Sequence, residues 1–550
     1  MCSKYYRETF MKKAKIRGEA IRLPLYISLY YGRIIILLLL LNLASVEIFS
    51  QPDKLDSLAG TVTIALPERF STFDTLTRSY SDAAAERVRI LLFNSLVKKD
   101  EQLDYVGDLA REIRVSEDGK TITFVLHENV KFHNGKLLTS ADVKYTFDEL
   151  FKSGSYKKGV FFETAGSKKI PVIAAVETPN SATVSFVLSR ASLKSLFLSY
   201  LAVIPIIPEG TADRQKMQPI GTGPFKFANF DQKENVVDLQ AHSDYFEGAP
   251  KIQNLRIKTV IDPIVLQAEL QIGAVDVAYP VEDLSPEILN DLGQNQKLRL
   301  EQFNGPNIVY LAFNTQSPVL KNIKIRQAIG YGIDRQRIIN ELFYRQAKIA
   351  HSMLPAESWA YSDARKYDYN PELAKKLIKQ AGYKKARILF KISAGNAITA
   401  KYAQAIQIML REIGLNVEIE VLEPYILRQQ VMLGQFQLNT GRWVTGNQDP
   451  LFLKDLFWSG AIPGGISSCC NRSRYTNPQF DQIVEQVAET ADREKAKVLY
   501  ARAQSIVSDD LPVLPLWYPA NMIVYNKRIG NIKITASGDW SFVKDLTVND

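Results

Sequence analysis

The sequence predicts an α/β protein with mixed sheets flanked by helices, divided into more than one domain. Three observations point there. Strand and helix patterns alternate through two long stretches, 252–278 and 387–438, as parallel strands covered by crossover helices do. Between 113 and 188, strand patterns instead flank tight-turn residues, so antiparallel pairs stand beside the parallel ones. Finally, 550 residues exceed what one core holds; at roughly 100–200 residues per domain, two to four are expected.

The elements follow in order. A strand is expected over 61–66, then a helix over 81–96 with Ser81 or Asp82 as its cap. Strands 113–115 and 121–126 flank Asp118-Gly119, a hairpin turn signal. Thr139-Ser140-Ala141-Asp142 starts an amphipathic helix running to about 152, and residues 178–181 turn a second pair of strands ending near Leu188. Gly221-Thr222-Gly223-Pro224 opens another β region. The first alternating unit is strand 252–260, helix 263–272 and strand 275–278. The second is strand 387–392, helix 398–413 stopped by Gly414, strand 417–422, helix 424–433 and strand 436–438. Ligands of such sheets lie beyond the carboxyl ends of the strands, which nominates 443–449, just past one end, as a binding loop. Helices over 478–488 and 493–507 and strands over 513–517 and 522–525 close the chain.

Composition narrows the function. With 46% apolar and 23% charged residues the chain is an ordinary globular one. Its net charge of +9 is concentrated at the start. Residues 1–50 hold eight basic and three acidic residues, leaving 60 basic and 56 acidic over the other 500. No basic block remains to track a phosphate backbone, so nucleic acid is not an expected partner.

The start reads as an export signal over 1–50. A basic region from Lys4 to Arg33 precedes the apolar run 34–41, too short for a membrane span of about 20 residues. Cleavage is expected between Ala44 and Gln51, which places the mature chain in the periplasm; the alternative is an uncleaved signal-anchor. No cysteine follows the run to carry a lipid. Cys469 and Cys470 are adjacent, a spacing unlike a metal pair, and read as two unpaired thiols in a loop, with a redox switch as the alternative.

Catalytic motifs fail on inspection. Gly119-Lys120-Thr121 lacks the earlier glycine of a phosphate loop, position 114 being Arg. Gly221-Thr222-Gly223 continues with Pro224 and Lys226 instead of a dinucleotide fingerprint. Ser155 and Lys158 have no companion motifs of an acylating enzyme. His127-Glu128 ends with Lys131 where a second metal-binding His belongs, and no GxSxG elbow occurs. An enzyme is not expected, nor is a metal or cofactor.

Several stretches together resemble the extracytoplasmic solute-binding proteins of the oligopeptide, dipeptide and nickel importer family, family 5. They are residues 92–97 (LFNSLV), 115–124 (VSEDGKTITF), 130–135 (VKFHNG) with 139–143, 221–225 (GTGPF), 313–315 (FNT), 325–329 (IRQAI) with 333–335 (IDR), and 475–481 (YTNPQFD). The likeness runs from about Gly60 to the C-terminus. It implies a two-lobed periplasmic-binding-protein fold of type II with an extra domain. Lobe I takes 58–96, 206–305 and 506–550, the extra domain 97–205, and lobe II 306–505. The implied ligand is a peptide or peptide-like small molecule held between the lobes, and the implied partner an ABC importer permease, through which alone the chain meets the membrane. A monomer is expected.

The resemblance places the ligand loop at 441–450 (GRWVTGNQDP). Family members that bind free peptides have an Asp three residues after the Trp, paired with the peptide ammonium. Here Trp443 is followed at that position by Gly446, while Asp449-Pro450 is retained as a structural pair. An uncompensated buried charge costs several kcal/mol, so a free N-terminus needs another carboxylate, with Asp82 or Glu423 as conjectures. Trp443 is expected to form a stacking wall, or else to be a core Trp beneath the loop. Asn447 is expected to bond a ligand amide or steady the loop. Arg442 meets a ligand carboxylate or turns to solvent, and Tyr80 and Tyr425 reach the cleft or pack in the core. His133 belongs to a motif of structural character. The alternatives to peptide import are a non-peptide or N-terminally blocked cargo, or a chemosensory or envelope-signalling module; a hydrolase is a distant third.

Overall fold

The computed structural model describes residues 60–549 apart from 166–167, 192–193, 282–283, 306, 444–448, 465–469, 491 and 536. Strand Thr61–Leu66 is buried along its whole length because it runs inside a seven-stranded sheet. It is parallel to Asn254–Thr259 on one side and to Val277–Ala278 on the other. Helix Pro263–Ile272 makes the crossover between those two. Asp262 caps it, accepting from the N–H groups of Ile264 and Val265, and Gly273 ends it at φ 78°, a left-handed turn that glycine takes without strain. Antiparallel strands complete both edges, so the sheet is mixed: Phe225–Asp231 and Val236–Ala241 on one, Asn521–Asn526 and Leu298–Phe303 on the other.

The second alternating unit builds a six-stranded sheet. Arg387–Ser393 lies parallel to both Asn416–Leu422 and Leu438–Trp443, and Ile308–Phe313, Val513–Pro519 and Ala347–Ile349 continue it antiparallel. Separate apolar cores cover its two faces, one around Phe390, Ile406 and Leu410, the other around Tyr310, Phe457 and Tyr500. A third, antiparallel sheet of Ala110–Val115, Thr121–Leu126, Thr183–Leu188 and Ile173–Asn180 carries the predicted hairpins. Its Phe124 and Phe186 share one continuous core with Val62 and Ile64 of the first sheet.

The chain passes between the two large sheets twice, at 304–307 and at Ala520. Phe303 pairs with Asn521 on the near side, and Val309 with Trp517 on the far side. The crossings touch: Asn521 Nδ2 donates to the Asn304 carbonyl at 3.0 Å. A side chain at Gly305 would lie 2.5 Å from the Pro519 carbonyl oxygen, so glycine is what lets the two segments run side by side.

Three expectations need correction. The helix expected over 81–96 is Ala83–Leu92. Asn94 Nδ2 donates to Asp108 Oδ1 at 2.9 Å and the Ser95 N–H to Oδ2 at 3.0 Å, pulling the chain out of the helix. The lobe boundary expected at 505/506 falls within helix Arg493–Asp510, and Val513–Pro519 still belongs to the second sheet, so the chain changes sheets at Ala520. Cys470 is disulfide-bonded, not a free thiol. The chain's other cysteines, Cys2 and Cys469, lie outside the described residues.

Candidate binding site

The strand registers fix where a ligand can sit. Ile308 pairs with Trp443, so the first crossing enters the second sheet at the carboxyl end of its parallel strands. In the first sheet Ala278 pairs with Val524, and Asn521 lies three residues beyond it, so the crossings also leave from the carboxyl end there. The carboxyl ends of both sets of parallel strands therefore face one gap, the position where such sheets bind ligands. Residues 444–448, with Gly446 and Asn447 among them, fall outside the described residues.

Leu438–Trp443 reaches further than the expected strand, so Trp443 ends the strand instead of following it. Its ring stacks on Phe452 at 5.8 Å with 24° between planes and packs against the core that holds Tyr310. One face of the indole is thus taken by the protein, and the residue stays half-buried. Two residues back, Gly441 is needed because an added Cβ would lie 2.8 Å from the Tyr310 hydroxyl. Alternation turns Arg442 the other way, and it is exposed.

Tyr80 and Tyr425 are not core residues. Tyr80 is 60% exposed, with the Arg78 guanidinium 3.9 Å from its ring centre. Tyr425 is 70% exposed in the first turn of helix Pro424–Met432, which starts where strand Asn416–Leu422 ends. Of the two conjectured carboxylates, Asp82 is committed. It caps helix Ala83–Leu92, accepts from Ser71 at 2.6 Å and pairs with Arg78 at 3.0 Å. Burial alone would raise its pKa, but these bonds outweigh burial and hold it below the usual range. Glu423 is exposed and makes no cap bond.

Asp449 behaves as a structural anchor. It is 3% exposed and accepts from the Leu451 N–H at 2.9 Å and the Tyr500 hydroxyl at 3.2 Å. Burial raises its pKa in spite of those donors. Lys99, from the opposite half of the molecule, lies within its electrostatic reach. Burial pushes that ammonium down to about 8, with Asp449, Asp104, Asp100 and Asp539 pulling the other way. Lys99 lines a cavity of about 330 Å³ together with Glu101, Lys533, Asp539 and Trp540. No pattern in the sequence singled out this lysine: it is one of 68 basic residues in the chain, on a strand of only three.

Both halves also touch outside the crossings. Lys401 Nζ pairs with Glu287 Oε1 at 2.7 Å, Arg190 with Glu489 at 3.6 Å, and Arg493 with Asp104, while Leu196 packs against the core beneath Trp443. His133 is structural as expected. Its Nδ1 accepts from the Gly221 N–H at 3.3 Å and its Nε2 meets the Gly223 carbonyl at 3.1 Å. Among the described residues, no group of three or more His, Cys, Asp or Glu is placed to hold a metal, and no helix is long and apolar enough to cross a membrane.

Two lobes joined by paired crossings, with strand ends facing a shared gap, define a two-lobed binding protein that closes on a solute. Residues 104–464 match the bacterial extracellular solute-binding proteins, family 5 (middle region), and the chain belongs to that family. It is a solute-binding protein serving ABC importers, not an enzyme. Among its relatives, the dipeptide-binding protein of Escherichia coli is 29% identical over 459 residues, covering 77% of this chain and 83% of that one. The heme-binding protein A of Haemophilus influenzae is 27% identical over 466 residues, covering 80% and 83%. In fold, the chain is similar to HbpA2 of Haemophilus parasuis, with a TM-score of 0.76 at 24% identity over 89% of this chain and all of that one.

Proposed function

We propose that the chain is exported to the periplasm by residues 1–50, takes peptides into the gap between its lobes and hands them to an ABC permease. The observation that carries this reading is the convergence of both sets of strand ends on one gap, with strand Leu438–Trp443 among them. The ligand contacts come from Trp443, Arg442, Asn447 and the backbone at Gly446 on one lobe edge, with Tyr425 and Tyr80 as exposed aromatic walls. The dipeptide-binding relative supports the cargo class. A cavity holding charges of both signs, Lys99 and Lys533 with Glu101 and Asp539, supports a cargo charged at both ends. Its acids are where the ammonium finds the partner that Gly446 does not supply.

A second reading rests on Gly446 itself: the cargo is N-terminally blocked or not a peptide, as the heme-binding relative's name illustrates. A thermal-shift series separates the two, using short peptides with free and acetylated N-termini beside haem. Ligand at 100 times its Kd adds about 2.7 kcal/mol, a readable shift. Peptide import requires stabilisation by free peptides; stabilisation only by acetylated peptides or haem sinks it in favour of the second reading.

A further inference from the structure

We propose that the end of the second lobe opposite the gap is a basic face that docks on anionic phospholipid headgroups. Charge is divided unevenly along the chain. Residues 319–416 hold 18 basic and 7 acidic residues, while the rest of 51–550 holds 42 basic and 49 acidic. A near-neutral total past residue 50 therefore hides a strongly basic stretch inside the second lobe.

The strand registers gather this charge at one end. Arg387 pairs with Asn416, and Leu438 with Phe313, so these positions lie opposite the carboxyl ends that face the gap. Helix Pro371–Gln380 carries Lys376 and Lys379 in its second half, and Lys384 and Lys385 follow in the turn that leads into strand Arg387–Ser393. The Tyr383 hydroxyl accepts from the Asn416 N–H at 3.0 Å, which holds that turn against the start of the neighbouring strand. Helix Ala397–Glu412 ends just before Asn416, with Arg411 in its last turn. Past Phe313, Lys321 and Lys324 flank the start of helix Ile323–Gly332, which shares a core with the other two helices. All seven side chains are exposed, and none has an ion-pair partner among the described residues. The acids nearby are mostly committed: Glu418 pairs with Arg387 at 2.6 Å, Asp509 with Arg365 at 2.8 Å, and Asp510 accepts from Tyr475 and Asn477.

Leu433, between helix Pro424–Met432 and strand Leu438–Trp443, adds a 63% exposed aliphatic side chain at the amino ends of the same strands. It borders a groove of about 530 Å³ with Gln316, Gln437 and Arg474. Unpaired cations beside an exposed aliphatic side chain suit the phosphates and upper acyl region of a bilayer. Six of the seven cations are lysines, a residue that protein interfaces avoid, so a bilayer fits this face better than a protein partner does. The family resemblance implies membrane contact through the permease alone; this face adds a direct contact. Docking by the end opposite the gap leaves the gap open to cargo, and a hold made of exposed charges is loose enough to let the molecule turn to its permease.

The test is sedimentation of the purified protein with vesicles of phosphatidylethanolamine and phosphatidylglycerol, beside vesicles of phosphatidylcholine alone. Binding is expected to the anionic vesicles only. It should vanish as salt rises from about 0.05 M to about 0.5 M, where the Debye length falls to a few ångströms. Reversing three exposed charges, in Lys376→Glu/Lys379→Glu/Lys384→Glu, should weaken binding about tenfold or more. The same change on the first lobe, in Lys216→Glu/Lys233→Glu/Lys251→Glu, should weaken it less than about threefold. Thermal melts check that both variants keep the parent Tm. Equal losses in the two variants, equal binding to neutral vesicles, or binding that persists in high salt overturns the proposal; the salt and lipid comparisons stand even if a variant fails to fold. No cargo enters the assay, so its outcome is separate from the test of peptide import.

Discussion

The residues that make this chain recognisable and the residues proposed to meet its cargo obey opposite rules. Arg326 and Arg335 sit in the recognisable stretches and are almost fully buried, each inside a ring of main-chain carbonyls. Arg335 donates to the carbonyls of Ala350, Pro515 and Tyr367 at 2.6, 2.9 and 2.9 Å. Arg326 does the same for Leu320, Lys321, Asp510 and Leu511. Asn314 donates to Gly434 and Phe436, and Asn477 caps helix Pro478–Glu489. Tyr80, Tyr425 and Arg442, by contrast, are exposed side chains: Tyr80 in a bend before helix Ala83–Leu92, Tyr425 in a helix's first turn and Arg442 near a strand's end. The first set locks loops that have no ladder of their own; the second is left available. A family signature here reports scaffold, and says little about cargo.

Breaking the scaffold should have the largest effect. Arg335→Ala leaves three buried carbonyls without donors, at about 1–3 kcal/mol for each unmade bond, so a loss of about 3–5 kcal/mol is expected. Urea denaturation checks it, and a loss under about 1 kcal/mol would remove Arg335 from the scaffold set.

An intermediate effect should follow pH. Burial, joined by the nearby His242 and Lys226, pushes His133 down to about 3, although the Gly223 carbonyl favours the charged form. The neutral ring is needed because Nδ1 must accept from the Gly221 N–H. A base whose folded pKa is depressed contributes stability that is full above its unfolded pKa of about 6.5 and lost as the pH falls towards 3. Thermal melts of His133→Gln should therefore fall less steeply over that window than those of the parent chain; parallel curves would refute the assignment.

The smallest effect on folding should come from the proposed contact residues. Tyr425→Ala should leave Tm nearly unchanged, within about 0.5 kcal/mol. Its Kd for the cargo found by thermal shift should rise with the loss of about 0.5–1.5 kcal/mol of aromatic contact. Calorimetry reads both, and a destabilised variant with unchanged Kd would move Tyr425 to the scaffold.

The alternating units were legible because helical periodicity, Gly273 and Gly414 mark their limits, and the hairpin at Gly119 because its turn needs φ near 67°. The misread positions had no local signal. Helix Arg493–Asp510 ends at Leu511 in a left-handed conformation without a glycine, so nothing in the sequence announces it. Helix Ala83–Leu92 stops early because of Asp108, a partner distant in sequence. The strand expected to end at 438 runs on to Trp443 through Gly441, a site of close approach by Tyr310. Lys99 and Asp539 meet only through tertiary structure, so that half of the candidate site could not be read in advance.

Strand Asn521–Asn526 lies inside the first sheet, between Val277–Ala278 and Leu298–Phe303. Arg528 follows it, closing a bidentate pair with Asp276 and reaching the Thr61 carbonyl. The second lobe is therefore a nested insertion, and the first lobe stays a sheet with a missing rib until the last thirty or so residues are made. A chain that must be threaded across a membrane before it folds gains from this order of assembly: the portion synthesised first cannot complete itself while the end is still being made. The same topology means that a truncation before residue 521 removes an interior strand, not a tail.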